Sequence, residues 1–276
     1  MAVVRKQRGH FLEDFRPDDV YRHKGGKTIT EGLFAIFTDF SMTTNPLSKN
    51  ARYARAYGFE GLVVPPGLVM LVVFSQSVED VSENARANLE YVDMRFGLPA
   101  YDPARRYGEL AHLTNDDSYL EDFTPGDVIE HSRGRVVTTD HIMLTGILDN
   151  TSQVHCNQWM VSRDPERFVG GQLIVFGGIP FNLCLGISSA DVGDNSLGDI
   201  RYATGRHTAP IFAGDTVFAS TEIRGVTEFP GRPDLGVLSA TLRGHKFVER
   251  GDEVERVEIF HLERELAVKR RSHYTT

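Results

Sequence analysis

The chain has 276 residues, enough for one large domain or two smaller ones with a sizeable core. With 41% apolar and 25% charged residues it reads as globular rather than disordered or fibrous. A net charge of −8 and no basic stretch long enough to neutralise phosphates exclude a nucleic-acid partner.

Two cysteines, Cys156 and Cys184, are too few for a disulfide framework, and no apolar leader follows Met1. The most apolar window, Leu62 to Phe74, is broken by Pro65-Pro66 and falls short of the roughly 20 residues that span a bilayer. It reads as a buried core helix entered through a proline-marked turn. The expected setting is the cytosol, with no membrane partner. Arg5-Lys6-Gln7-Arg8 and Lys269-Arg270-Arg271 read as short solvated basic tails.

In chain order, the informative feature is an internal repeat. Phe11-Leu-Glu-Asp-Phe15-Arg-Pro17-Asp-Asp19-Val20 returns as Tyr119-Leu-Glu-Asp-Phe123-Thr-Pro125-Gly-Asp127-Val128, an offset of 108 residues. Lys27-Thr-Ile-Thr30 matches Arg135-Val-Val-Thr138 at the same offset, and each match opens a segment with helix-start character. The correspondence resumes at an offset of 111: Gly67 pairs with Gly178, each heading an apolar run, and Tyr91 pairs with Tyr202 and Pro99 with Pro210. The chain is thus a tandem duplication of one α+β unit, residues 9–110 and 111–276.

The second copy continues past Pro210 into three strand-like segments, Thr216 to Arg224, Leu235 to Val248 and Val254 to Val268, joined by Gly/Pro turns. Short β-runs after one buried helix predict an antiparallel sheet wrapped around that helix. The first copy passes from Pro99 to the second repeat at Tyr119 with no room for those strands. It is truncated, its helix near Gly67 is expected to pack on a smaller sheet, and its open edge predicts a homodimer or higher oligomer.

Between the helix start at Thr138 and the second apolar run lies Asp149-Asn150-Thr151-Ser152-Gln153-Val154-His155-Cys156-Asn157. A carboxylate, amides, hydroxyls and a histidine crowd into one segment with no helical or strand period. They precede Gly177-Gly178 and a buried helix, whose free N–H groups favour developing negative charge. That combination suits acid–base chemistry, and an ordinary surface loop with a solvated histidine is the bland alternative.

The order of helix start, polar loop, Gly-headed helix and antiparallel strands resembles the hot-dog fold of MaoC-like (R)-specific enoyl-CoA hydratases. Their motif is Asp-x-Asn-Pro-(Leu/Ile)-His. The first copy has Thr43-Thr44-Asn45-Pro46-Leu47-Ser48, with Thr43 and Ser48 where the acid and the histidine should stand, so it looks chemically silent. The second copy keeps His155, puts Asn150 at the position of the acid, and has Asp149 one place too early. Within the superfamily the chain is most similar to mesaconyl-CoA (2-methylfumaryl-CoA) hydratases. The likeness rests on Val81-Ser-Glu-Asn-Ala-Arg-Ala-Asn-Leu-Glu-Tyr91, Gly205-Arg-His-Thr-Ala-Pro210-Ile-Phe-Ala-Gly214 and Pro230-Gly-Arg-Pro-Asp-Leu-Gly236, among others.

The resemblance implies a double hot-dog with a truncated first repeat. The implied activity is reversible hydration of an α,β-unsaturated acyl-CoA, such as mesaconyl-CoA to β-methylmalyl-CoA. Coenzyme A would be part of the substrate, with no cofactor or metal besides. His155 is the expected base, and Asp149 or Asn150 its partner, Asp149 alone being able to carry a proton. Gly177 or Gly178 would offer a backbone N–H to the thioester oxygen. Arg206 and His207 are candidates for a substrate carboxylate or a CoA phosphate, and Asn157 for a further substrate contact. Trp159 is expected in the core. A hot-dog thioesterase using Asp149, or an acyl-CoA-binding protein that has lost catalysis, are the other readings.

Overall fold

The structure, a computed structural model, describes residues 9–23, 26–85, 88–98 and 113–274. Arg5 to Arg8 and the expected boundary between residues 110 and 111 lie outside the described residues.

The repeat is visible first in the turns that open each copy. Leu12–Asp14 and Leu120–Asp122 are single 3-10 turns, in which the Asp14 and Asp122 carboxylates accept from the backbone N–H of Phe11 and Tyr119, at 2.8 and 3.0 Å. The first copy then runs through α1 (Glu31–Phe40), α2 (Pro46–Lys49), α3 (Ala51–Ala56), α4 (Pro66–Ser77) and the strand β1 (Glu90–Arg95). The Thr30 hydroxyl caps α1 by accepting from Leu33 N–H, as the helix-start signal requires. The second copy places β2 (Val128–Val136) before α5 (His141–Ile147). It continues with α6 (Gln158–Val161), α7 (Gly178–Ser188), β3 (Ser196–His207), β4 (Thr216–Glu228), β5 (Leu235–Arg250), β6 (Glu253–Lys269) and α8 (Arg271–Tyr274). Both α4 and α7 run on into a π-helical turn, Val78–Ser82 and Ser189–Gly193, at the offset of 111 found in the sequence.

All pairings are antiparallel, and the six strands form one sheet in the order β1-β3-β6-β5-β4-β2. The sheet wraps α7, whose Phe181, Leu183, Cys184 and Ile187 are fully buried against it. The fold is a double hot-dog. Among the described residues the first copy forms no separate smaller sheet. Its one described strand, β1, joins the second copy's sheet through β3, with Tyr91 opposite Gly205. The helix α4 packs beside α7 instead, Leu71 lying against Gly178 and Gly67 against Asn182. The C-terminal end of α1 closes onto α7 at Gly186, where an added Cβ would fall 1.5 Å from the Ser41 carbonyl oxygen, so only glycine fits.

Two surface expectations fail. Trp159 is 69% exposed, with the Arg163 guanidinium stacked 3.5 Å from its ring centroid, because α6 is a single turn that turns outward. Lys269 is 1% exposed, not a solvated tail. Its ammonium donates to the Tyr53 hydroxyl and lies over the rings of Tyr53, Tyr57 and Tyr274. Burial pushes its pKa down to about 7, against the pull of Asp194. No helix of the described residues is long and apolar enough to cross a membrane.

Candidate active site

A cavity of about 790 Å³ opens between the loop after α5, the N-terminus of α7 and the facing ends of β1 and β3. Asn150, Ser152 and His155 line it from the loop, Phe176 and Gly177 from the entry to α7, Tyr91 from β1 and His207 from β3.

The loop is placed by the way α5 ends. Asp149 takes a left-handed conformation, φ 60°, so that its N–H reaches the Gly146 carbonyl and the Asn150 N–H reaches that of Thr145. This pair of bonds is the Schellman arrangement that satisfies a helix's last carbonyls, and aspartate is among the residues that tolerate the position. The price is orientation: the Asp149 carboxylate points outward and pairs with Lys27 at 2.7 Å, and it does not line the cavity. Asn150 is the residue that turns inward, 5% exposed, with its Oδ1 accepting from Ser152 N–H at 3.0 Å. That leaves its Nδ2 as the donor on the cavity side.

His155 ends a 3-10 turn, Gln153–His155, and is 9% exposed. Its Nδ1 lies 2.9 Å from the Ile174 carbonyl oxygen. A carbonyl only accepts, so Nδ1 carries the hydrogen and Nε2 is the free lone pair. Burial lowers the pKa to about 4, the bond to Ile174 opposing the shift and His141 adding to it. His155 is therefore neutral at pH 7.

Gly177 is the N-cap of α7 and Gly178 its first residue, and among the described residues neither backbone N–H has an acceptor. Gly177 lines the cavity, and a Cβ there would meet His207 Nε2 at 2.9 Å. Gly178 sits one step inward, against Leu71 and Phe176. The histidine, the amide and the helix N-terminus thus converge on one space, where an oxyanion would meet unpaired N–H donors.

The remaining candidates separate. His207 lines the cavity, while Arg206, the next residue on β3, is exposed and does not line it, as strand alternation demands. Asn157 is a structural cap of α6: its Oδ1 accepts from Met160 N–H at 3.0 Å and its Nδ2 donates to Gln153 Oε1 at 2.9 Å. Sequence reasoning missed that Asn88 and Tyr91 line the cavity. The signal for Tyr91 was its repeat partner Tyr202, which pointed only to packing. Among the described residues Arg167, exposed at the rim, is the only lysine or arginine that lines the cavity.

No protein-family model matches the chain. It is 28% identical over 311 aligned positions to the β-methylmalyl-CoA dehydratase of Chloroflexus aurantiacus, covering 83% of this chain and 86% of that one. It is 23% identical to the mesaconyl-CoA hydratase of Cereibacter sphaeroides, covering 89% and 93%. Among solved structures it is similar to a MaoC domain protein from Chloroflexus aurantiacus described as a putative dehydratase, with a TM-score of 0.80, 23% identity and coverage of 95% and 98%. A Mycobacterium tuberculosis protein described as having a double hot-dog fold superposes with a TM-score of 0.72 at 17% identity, covering 94% and 98%. The likeness to MaoC-like proteins read from the sequence motifs extends over nearly the whole chain, and it is a likeness of fold as well as of sequence.

Proposed function

We propose that this chain is an enoyl-CoA hydro-lyase that interconverts an α,β-unsaturated acyl-CoA and its β-hydroxy form. The substrate class is a branched, dicarboxylic acyl-CoA such as mesaconyl-CoA. The observation that carries this is His155: buried in the wall of a large cavity, held by Ile174 in the tautomer that leaves Nε2 basic, and adjacent to the α7 N-terminus. Similarity to proteins named for β-methylmalyl-CoA and mesaconyl-CoA supports the substrate class.

In the hydration direction, His155 Nε2 takes a proton from a water that Asn150 Nδ2 holds by donating to its oxygen. The water oxygen bonds to the β-carbon and the double-bond electrons move to the thioester oxygen. The N–H groups at Gly177 and Gly178 stabilise that oxyanion. An imidazolium with a pKa near 4 is a strong acid, so His155 then returns its proton to the α-carbon as the carbonyl re-forms. One residue closes the proton cycle, and no carboxylate is required at Asn150.

The thioesterase alternative loses its nucleophile activator, because Asp149 faces solvent. A binding protein without catalysis remains the contrast to test. Incubation with mesaconyl-CoA and following the enone absorbance decides among the three: loss of the band without free thiol is hydration, thiol release is hydrolysis, and no change is binding alone. We further infer that the chain acts in the cytosol as a homodimer or higher homo-oligomer. Support comes from β1, an edge strand that carries Val92 at 68% exposure, and a monomer mass by light scattering at micromolar protein would refute the dimer.

A further inference from the structure

The cavity wall formed by β1 and β3 belongs to neither copy alone. Tyr91 comes from the first repeat and His207 from the second, and the strands are tied there by His207 N–H donating to the Leu89 carbonyl at 3.0 Å. Gly205, opposite Tyr91, leaves room for its ring, since a Cβ there would come 3.3 Å from Tyr91 Cδ2. The His207 ring is wedged between Phe260, with centroids 4.9 Å apart, and Gly177. The Tyr91 hydroxyl and His207 Nε2 are 3.4 Å apart, too long for a committed hydrogen bond, so both can turn to a third group. Beside them, Asn88 Nδ2 is buried and, among the described residues, has no hydrogen bond of good geometry, although its side chain is close enough to Tyr91 to pull that hydroxyl's pKa down against burial. An unsatisfied buried donor costs roughly 1–3 kcal/mol and calls for an explanation.

All three are uncharged. Burial pushes Tyr91 up to about 12 and His207 down to about 4, so neither is ionised at neutral pH. Among the described residues, a free carboxylate on the acyl group finds no lysine or arginine in the depth of the cavity, since Arg167 stands exposed. Hydrogen bonds from neutral donors to a carboxylate are charge-assisted and roughly twice as strong as those between neutral groups. Position agrees as well. In a short dicarboxylic acyl group the carboxylate lies close to the thioester, so its site must adjoin the α7 N-terminus, where His207 touches Gly177.

We propose that Asn88, Tyr91 and His207 form a carboxylate subsite that selects a dicarboxylic acyl-CoA over a plain acyl-CoA of the same length. The subsite rests on the acyl-CoA reading of the cavity but not on turnover, so it is tested by binding. Succinyl-CoA and butyryl-CoA share a four-carbon chain and differ in the terminal carboxylate, and neither can be hydrated. Calorimetry should show the wild-type protein preferring succinyl-CoA by about tenfold or more. Tyr91→Phe and His207→Leu should each shrink that ratio towards one, with butyryl-CoA affinity unchanged. Tyr91→Phe keeps the ring and decides the matter if His207→Leu does not fold. Equal wild-type affinities, a preference that survives Tyr91→Phe, or a parallel loss of both ligands overturns the subsite, the last because the pair would then hold the shared thioester portion. A protein that prefers succinyl-CoA but hydrates no enoyl-CoA overturns the hydratase reading and leaves the subsite standing. One that binds neither ligand overturns both.

Discussion

After α1 the chain turns through Met42 at φ 62°, and after α5 it turns through Asp149 at φ 60°. The two loops that follow occupy equivalent places in the repeat, Thr43 to Ser48 and Asn150 to His155, and their polar groups are spent differently. In the first, Asn45 donates to the Gly193 and Ser196 carbonyls at 2.9 and 3.2 Å and accepts from Leu47 N–H, while the Ser48 hydroxyl donates to the Val63 carbonyl at 2.6 Å. Thr44 bonds Ser189 and Asp194. Only about 80 Å³ of space remains there. In the second loop, His155 and Asn150 line a cavity ten times larger, and among the described residues His155 Nε2 and Asn150 Nδ2 have no hydrogen-bond partner. Duplication supplied two loops at equivalent places, each entered through a left-handed residue. One has its side chains consumed by the protein itself, and the other holds them back for a ligand.

The sharpest way to break this contrast is to remove one side chain from each loop. His155→Ala should lower kcat by about 10²–10⁴-fold in an enone-absorbance assay, and Ser48→Ala should leave it within about twofold. Equal losses would mean that the loops share one site. The converse experiment reads stability. Asn45→Ala leaves two carbonyls and a helix N-terminus without their donor and acceptor, and should cost about 2 kcal/mol in urea unfolding with kcat intact.

A third test uses proton affinity. In the proposed mechanism His155 is a neutral base, and its depressed pKa keeps it neutral until the pH falls to about 4. The acid limb of kcat/KM should therefore lie near pH 4, with a flat profile from 6 to 8. A limb near the ordinary histidine value of about 6.5 would place the base in a wetter setting than this cavity. The smallest effect belongs to Asp149→Asn. It keeps the left-handed turn and loses only an exposed ion pair worth about 1 kcal/mol or less, so kcat should not change. A large loss would return Asp149 to the chemistry.

The duplication, the Gly-headed helices and the polar loop that brings His155 to the cavity were legible because they are local: a repeat, a glycine before an apolar run, a polar segment without period. The orientation of Asp149 was not, since it depends on how α5 terminates, and an Asp-Asn pair after a helix does not say which of the two takes the left-handed position. Arg206 and His207 were adjacent letters until β3 assigned them to opposite faces. Asn88 and Tyr91 entered the site only through the pairing of β1 with β3, a contact between copies that no spacing within either one encodes. Lys269 looked like a tail because nothing near it in sequence is aromatic except Tyr274, and its other ring partners lie more than two hundred residues away.

That buried ammonium also sets a timetable for synthesis. Tyr53 and Tyr57 leave the ribosome early, yet the cation they enclose is carried by the last residue of β6, and β1 has no partner until β3 exists. The apolar helix α4 must therefore wait for α7, and the Tyr53–Tyr57 pair for almost the entire polypeptide. A nascent chain stalled before residue 269 is the form of this protein most in need of a chaperone.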